Sequence, residues 1–566
     1  MTGKLNPLSP GPIHSTASKA FQSPRILQAL SHLEVRTWLT GLVMAGTFFT
    51  FLALVQFATP ALAGVDGYYH VKFASLMRTQ GLKPEFTWLP LTVLNAREFY
   101  DHHFLFHVAL IPFTLGDLRL GTKFASVIFA SLAFLSVWWL FHRQRLPYAA
   151  LWSLGLLAVS EAFIYRMSMA RVQSLSILTL VLGLHWMLAQ QYRYLVPLGF
   201  FYVWLYNAFP LLLVFAALYT LALAIVERRL DFRPVLYTGL GLGLGMLINP
   251  YFPDNFVFVY RHLLPKLSDA TSVSVGSEWY PYETTQLLEN SPLALLAFIS
   301  GAFALGLKDR RMDTRTATAL FIAVTFGLML FQARRFVEYF PPFALIFAAL
   351  AWSGVLPPAA FPAGVGSHAL SNGERQSGER QSGERQSGER QSGERQSGER
   401  QPGERGRASR LRWLAQRAPV LLIVALLLPG VIDTYSEARL SLRGSTSYER
   451  YAQASAWLQE NTPPGSRLFQ TDWDDFPRLF FYNTHNTYLV GLDPTYMQLY
   501  DAELYDLWVD ITQGDVERPS EYIYSRFGAQ YVLTDHRHSD FIRMAAADPG
   551  LRLVYRDGEA IIYQVN

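Results

Sequence analysis

The chain has 566 residues, 51% of them hydrophobic and only 16% charged, with a mean hydropathy of +0.15. A soluble domain carries roughly 25% charged residues, so this is the composition of a membrane protein, and a formal net charge of only +4 gives no support to a nucleic-acid partner. Cysteine is absent, which excludes disulfides, thiolate catalysis and thiolate-bound metal centres.

Residues 1–37 are polar and basic (Lys4, Lys19, Arg25, Arg36) and read as a cytoplasmic N-terminal segment. The apolar run that follows is too long for the core of a signal peptide and is expected to stay as a first span. A helix crossing a bilayer needs about 20 mostly apolar residues. Candidate spans fall near 38–60, 120–141, 147–165, 172–189, 194–208, 209–226, 234–250, 291–307, 316–332, 338–356 and 418–433. The fifth and sixth meet at Asn207-Ala208-Phe209-Pro210, which suggests a tight hairpin.

Phe104–Leu115 decides the sidedness. It is apolar but short, contains Pro112 and follows Asp101-His102-His103. Read as interfacial, it leaves the N-terminus, His142–Arg145, Glu227–Arg229 and Lys308–Arg311 all on the cytoplasmic side, as basic loops prefer. Loops 61–119 and 251–290 then face outward with everything after about residue 434. The near-perfect Gly-Glu-Arg-Gln-Ser repeat over 373–405, inside loop 366–410, has no apolar residue and reads as a solvated, disordered cytoplasmic spacer.

From 434 to 566 the chain reads as a small α/β domain. A helix is expected over Tyr448–Asn461, then strands at Arg467–Gln470, Tyr488–Val490, Tyr531–Thr534, Leu551–Tyr555 and Ala560–Gln564, with helical stretches between some of them. The expected fold is therefore a polytopic α-helical membrane protein of about 11 spans (residues 38–433) with an extracytoplasmic α/β domain.

Several polar clusters fall on the outer side. Asp66, just after the first span, stands at the membrane surface where an acid needs a cation or polar ligand, with Tyr68, Tyr69, His70 and Lys72 in the same turn; it could equally cap a helix running through Phe73 to Met77. His103 and His107, four residues apart, would lie on one helix face and could share a metal with Asp101, or serve as interfacial anchors. Arg166 and Arg171 run against the positive-inside tendency and suit phosphate recognition or lipid headgroups. Glu278 lies among aromatic residues in loop 251–290, and Arg334 and Arg335 add a second outer cationic pair, suited to an anionic lipid-linked ligand. Asp472, Trp473 and Asp474 form an acidic loop that either faces substrate or starts a helix with Asp474 as its cap.

The order of these motifs resembles the GT-C superfamily of membrane glycosyltransferases, and most of all the catalytic subunit of oligosaccharyltransferase. Asp66 with Tyr68, Tyr69 and Lys72 is similar to the family's first outer loop, and residues 104–115 to its non-spanning helix. Ser274–Glu278 resembles a Ser-Val-Ser-Glu type motif, and Arg335-Phe336 an Arg-Phe pair before a late span. Ala454–Ser466 is similar to the stretch that precedes the family's Trp-Trp-Asp motif, in whose place Thr471–Asp475 stands. Near Ala170, where the family has an Asp-Asn-Glu metal motif, this chain has Arg171-Val172-Gln173.

The resemblance implies an inverting glycosyltransferase in a bacterial inner membrane, moving a sugar or glycan from a polyprenyl-phosphate or polyprenyl-diphosphate donor to a protein, lipid or polysaccharide acceptor. Asp66 would act as general base or acceptor-orienting carboxylate, and Glu278 would hold the acceptor or a divalent cation (Mg2+ or Mn2+). Tyr69, His70, Lys72, Arg166, Arg171, Arg334, Arg335, Asp472, Trp473 and Asp474 would bind substrate. A metal, if used, would draw its ligands from Asp66, Asp101, His103 and Glu278. The competing expectation is a non-catalytic flippase or assembly protein, which would place ionisable residues mid-span; apart from His185 there are few.

Overall fold

In the computed structural model the described residues are 24–263, 276–307, 312–356 and 424–566. The pentapeptide repeat, Ser272–Val275 and Lys308–Arg311 lie outside them.

Among the described residues, four helices are long and apolar enough to cross a membrane: Val35–Gln56, Leu118–Arg143, Pro210–Glu227 and Thr314–Gln332. Two bent pairs, Ala149–Leu157 with Glu161–Ser168 (80°) and Thr284–Asn290 with Pro292–Gly306 (85°), raise the number to six if each is one span. Hydropathy alone suggested about 11. Four further candidate positions carry helices that are short: Gln173–Leu188 has 16 residues, Leu195–Leu205 has 11, Arg233–Leu247 has 15 and Phe340–Trp352 has 13; the candidate at 418–433 falls within the described residues only from 424, where the chain is helical. The breaks have a structural use. Non-helical backbone at membrane depth is tolerated where it lines a protein cavity, and the turns at Met169–Val172 and Tyr206–Ala208 do so.

The segment Phe104–Thr114 is an α-helix followed by a 3-10 turn. At 1.5 Å per residue it rises no more than about 20 Å, short of a hydrocarbon core of roughly 30 Å. It packs instead against helix Asp66–Gln80.

The C-terminal region forms a five-stranded sheet of β1 (Arg467–Gln470), β2 (Thr487–Tyr488), β3 (Tyr531–Thr534), β4 (Leu551–Arg556) and β5 (Ile561–Val565), in the order β2-β1-β3-β5-β4. β1 pairs parallel with β2 and β3; β5 pairs antiparallel with β3 and β4. Side chains alternate between faces along each strand. Phe469, Val532, Ile561 and Tyr563 pack with Trp508, Ile511 and Phe541 from the domain's own helices. Leu468, Tyr531, Leu533 and Ile562 point the other way, into an aromatic cluster with Phe73, Phe86, Trp88 and Phe480. Hydrogen bonds reinforce that junction: Tyr488 N–H donates to Trp88 O (2.8 Å), Val93 N–H to Tyr496 O (3.0 Å), and the Trp88 indole Nε1–H to Thr484 O (2.9 Å). The first loop and the C-terminal sheet therefore share one core.

Candidate active site

The first loop, three turns at the ends of apolar helices and the Asp472–Asp474 loop enclose a cavity of about 810 Å³. Asp66, Tyr69, His70, His103, Arg166, Arg171, Glu278, Arg335, Asp472, Trp473 and Asp474 all line it.

Each charged side chain is aimed by local chain geometry. Asp66 is the first residue of helix Asp66–Gln80, with Val65 rather than Asp66 in the cap position, so its carboxylate does not cap the helix. A helix N-terminus is still a favourable place for negative charge. Gly67 lets that helix approach the Met169–Val172 turn, because a Cβ there would stand 3.1 Å from Ala170 Cβ. The close approach brings Arg171 to Asp66, and Nε and a terminal nitrogen of the guanidinium both donate to Asp66 Oδ2. Its other terminal nitrogen donates to Glu278 Oε2 at 3.1 Å.

Arg166, on the capped helix Glu161–Ser168, stands 2.9 Å from Glu278 Oε2, and its Nε donates to Glu338 Oε1 at 2.6 Å. Arg335 lies 3.7 Å from Glu278 Oε1, 4.1 Å above the Trp279 ring and 3.3 Å from the Tyr206 hydroxyl. Three guanidinium groups thus interleave with three carboxylates, Asp66, Glu278 and Glu338, and the formal charges cancel. Burial alone would raise the Glu278 carboxyl, but Arg171, Arg166 and Arg335 outweigh it and hold the group well below the usual carboxylate range.

On the C-terminal side, Asp472 caps the 3-10 turn Trp473–Asp475 by accepting from Asp474 N–H at 3.0 Å. The expectation of Asp474 as cap is corrected: Asp472 does the capping, and this leaves the Asp474 carboxyl for the cavity. Burial, then the charges of Asp66 and Asp472, push Asp474 up to about 6. The Trp473 ring lies 3.6 Å from where a Cβ on Gly276 would be, so the acidic loop abuts the turn that carries Glu278.

Two expected binding residues lie elsewhere. Lys72 does not line the cavity. Arg334 also stays outside, donating to Pro281 O at 3.0 Å with its guanidinium 5.3 Å from the Tyr282 ring, and so braces the Glu278 turn from behind.

The expected metal ligands do not converge. Among the described residues no group of three or more His, Asp or Glu side chains is placed to hold an ion. Asp66 and Glu278 are joined by the Arg171 guanidinium, and Asp101 is turned away to accept from His107 Nδ1 at 2.7 Å and from His103 N–H at 3.0 Å. The donor set therefore does not fit a divalent cation, because a side-chain cation already fills the space between the acids.

Some site residues escaped sequence reasoning. Glu338 looked like one acid beside an arginine pair, and only the fold brings it to Arg166 across 172 residues. Tyr206 had no signal beyond the break at Asn207. His107 stood out by spacing, but its partners are Asp101 and His70, not a metal.

No family model and no curated protein matches the sequence. Solved structures do. The Archaeoglobus fulgidus oligosaccharyltransferase superposes with a TM-score of 0.59 at 15% identity, over 93% of this chain and 74% of that one. ArnT from Cupriavidus metallidurans, bound to undecaprenyl phosphate, gives 0.53 at 16% identity, over 92% and 97%. The mycobacterial arabinofuranosyltransferase AftD gives 0.52 at 12%, over 94% of this chain and 40% of that one. This chain has the GT-C fold. The Arg171 bridge lies at the point of the chain where the resemblance led one to expect an Asp-Asn-Glu motif and Arg171-Val172-Gln173 stands instead.

Proposed function

We propose that the protein is an inverting membrane glycosyltransferase, moving a sugar or glycan from a polyprenyl-phosphate or polyprenyl-diphosphate donor to an acceptor at the outer face of the membrane. The observation that carries this is the arginine–carboxylate lattice on the wall of a cavity that also has apolar membrane-side walls (Leu211, Val214, Met329). Such a cavity suits a ligand that is anionic at one end and a hydrocarbon at the other. Two neighbours in fold support the donor class: ArnT bound to undecaprenyl phosphate, and the archaeal oligosaccharyltransferase in complex with an inhibitory peptide and a dolichol-phosphate.

In this reading Arg335 and Arg171 face the phosphate and stabilise the charge it gains as the glycosidic bond breaks. Asp66, held by Arg171, orients the acceptor. Glu278 keeps the three guanidinium groups together, and the Asp472–Asp474 loop closes the acceptor side. Arg171 supplies the positive charge between Asp66 and Glu278, so no step needs a divalent cation. The N-terminus lies in the cytoplasm and the C-terminal domain outside a bacterial inner membrane, which puts donor and acceptor in one aqueous compartment.

The test is transfer of a radiolabelled sugar from undecaprenyl-linked donors by purified protein in nanodiscs. Asp66→Asn should lower turnover about a hundredfold or more while binding of undecaprenyl phosphate is retained. Wild-type protein that binds no lipid phosphate, or that carries lipid-linked sugar across vesicles without forming product, would overturn the assignment.

A further inference from the structure

Beneath the cavity floor is a buried hydrogen-bonded chain that the lattice does not use. Asp101 Oδ2 lies 2.7 Å from His107 Nδ1, and His107 Nε2 lies 2.8 Å from His70 Nδ1. The three residues are 3%, 0% and 5% exposed, so water does not compete for these bonds. His70 itself lines the cavity, one turn along the helix from Asp66 and on the same face.

The chemistry of the groups gives the chain a direction. A carboxylate only accepts, so His107 Nδ1 carries the proton it donates to Asp101. In a neutral imidazole the other nitrogen is then an acceptor, so His107 Nε2 accepts from His70 Nδ1–H, and His70 Nε2 is left with a free lone pair. Burial, with His107, Arg171 and His102 nearby, disfavours a charged His70. Tyr69 packs against His107 at 5.7 Å, and the Phe106 ring stands edge-on to His70 at 5.1 Å, so neither imidazole can turn freely. Asp66, by contrast, is engaged by two N–H groups of Arg171 and is poorly placed to take up a proton.

We propose that Asp101, His107 and His70 form a proton relay that presents His70 Nε2 to the cavity as the base for a hydroxyl acceptor. The role rests on the glycosyltransferase reading above. As the acceptor oxygen bonds to the anomeric carbon, the bond from that carbon to the phosphate oxygen breaks and its electron pair leaves with the phosphate. The hydroxyl proton moves to His70 Nε2, the His70 Nδ1 proton to His107 Nε2, and the His107 Nδ1 proton to Asp101. The charge lost by the acceptor is thus carried away from the sugar. His70 touches the acceptor; His107 and Asp101 are positioning residues that set its tautomer.

Two measurements test the relay. The first needs no turnover. In protein labelled with 15N-histidine, nitrogen shifts at neutral pH, assigned by comparison with His70→Gln, should show His70 unprotonated at Nε2 and protonated at Nδ1. The opposite tautomer overturns the proposal. The second uses a lipid-linked donor and a hydroxyl acceptor. His70→Gln and Asp101→Asn should each lower kcat about a hundredfold with undecaprenyl phosphate affinity unchanged, and Asp101→Asn should also move the pH profile, which a packing defect would not do. If the wild type transfers sugar and both folded variants match it, the relay is wrong and the glycosyltransferase assignment stands. If the wild type forms no glycoside with any donor, the assignment fails, and the hydroxyl-activating role fails with it.

Discussion

Arg171 donates to Asp66 along one edge of its guanidinium and to Glu278 from the remaining nitrogen. One side chain thus ties the first loop to the loop that carries Glu278, across 105 and 107 residues of sequence. A planar fork can make both bonds at once, which a lysine ammonium could not reproduce.

If Arg171 stands in for an ion, wild-type transfer should be insensitive to EDTA. Arg171→Gln should lower turnover at least about a hundredfold, since a charge-assisted contact in a partly buried site is worth a few kcal/mol. The same variant removes the guanidinium that sits between Asp66 and Glu278, and it should gain measurable Mn2+ binding by titration calorimetry. Strong EDTA inhibition of the wild type would refute this.

Arg335 meets Glu278, the Trp279 face and the Tyr206 hydroxyl together. Arg335→Lys keeps the charge but loses the stacking and the fork. Affinity for undecaprenyl phosphate should fall about 10- to 100-fold, or roughly 1.5–3 kcal/mol. Isotherms for the two proteins on nanodiscs would decide it, and equal affinity would take Arg335 out of the phosphate site.

Gly67→Ala separates stability from activity. Alanine favours the helix by about 1 kcal/mol, yet its Cβ would press on Ala170 at 3.1 Å and lever Arg171 away from Asp66. Thermal stability should change little while kcat falls about tenfold, because small displacements of reacting groups are costly. An activity equal to the wild type would mean that the turn yields without moving Arg171.

Burial, and then the charge of Asp472, push Asp475 up to about 7 while it accepts from the Tyr451 hydroxyl at 2.9 Å. A raised carboxyl stabilises the fold fully below its unfolded value near 4, and that contribution is lost as pH rises towards 7. Asp475→Asn keeps a neutral acceptor at every pH. Its stability relative to wild type should therefore climb from pH 4 to 7 by about 1 kcal/mol per pH unit and level off above. Melting curves of both proteins across that range measure the difference, and a constant offset would contradict the assignment. Taking the difference cancels His70 and His103, whose lowered values act in the opposite sense at acid pH.

How much of this was legible beforehand depended on whether the signal was local. The strands of the C-terminal sheet follow from short apolar runs between turns, and they appear within a residue or two of where the pattern put them. Asp66, Arg166, Arg171 and Arg335 were conspicuous because charge next to an apolar span is costly without a purpose. Pairing was another matter. His103 and His107 have the spacing of ligands on one helix face that Asp101 could join, but Asp101 precedes helix Phe104–Leu110 and turns back onto His107, and His70 comes from a different helix. Hydropathy records apolar runs without seeing where turns break the helices, so among the described residues four to six helices or bent pairs have the length to span, against about 11 apolar runs.

The aromatic seam between Trp88 and the β2 edge makes truncation a severe operation. A chain ending before Tyr451 would leave Phe86, Trp88 and Phe99 wet, and a free C-terminal fragment would expose Leu468, Leu533 and Ile562 in return. Neither piece has a finished surface, so the C-terminal α/β region should behave as part of the protein's interior and not as a detachable lid.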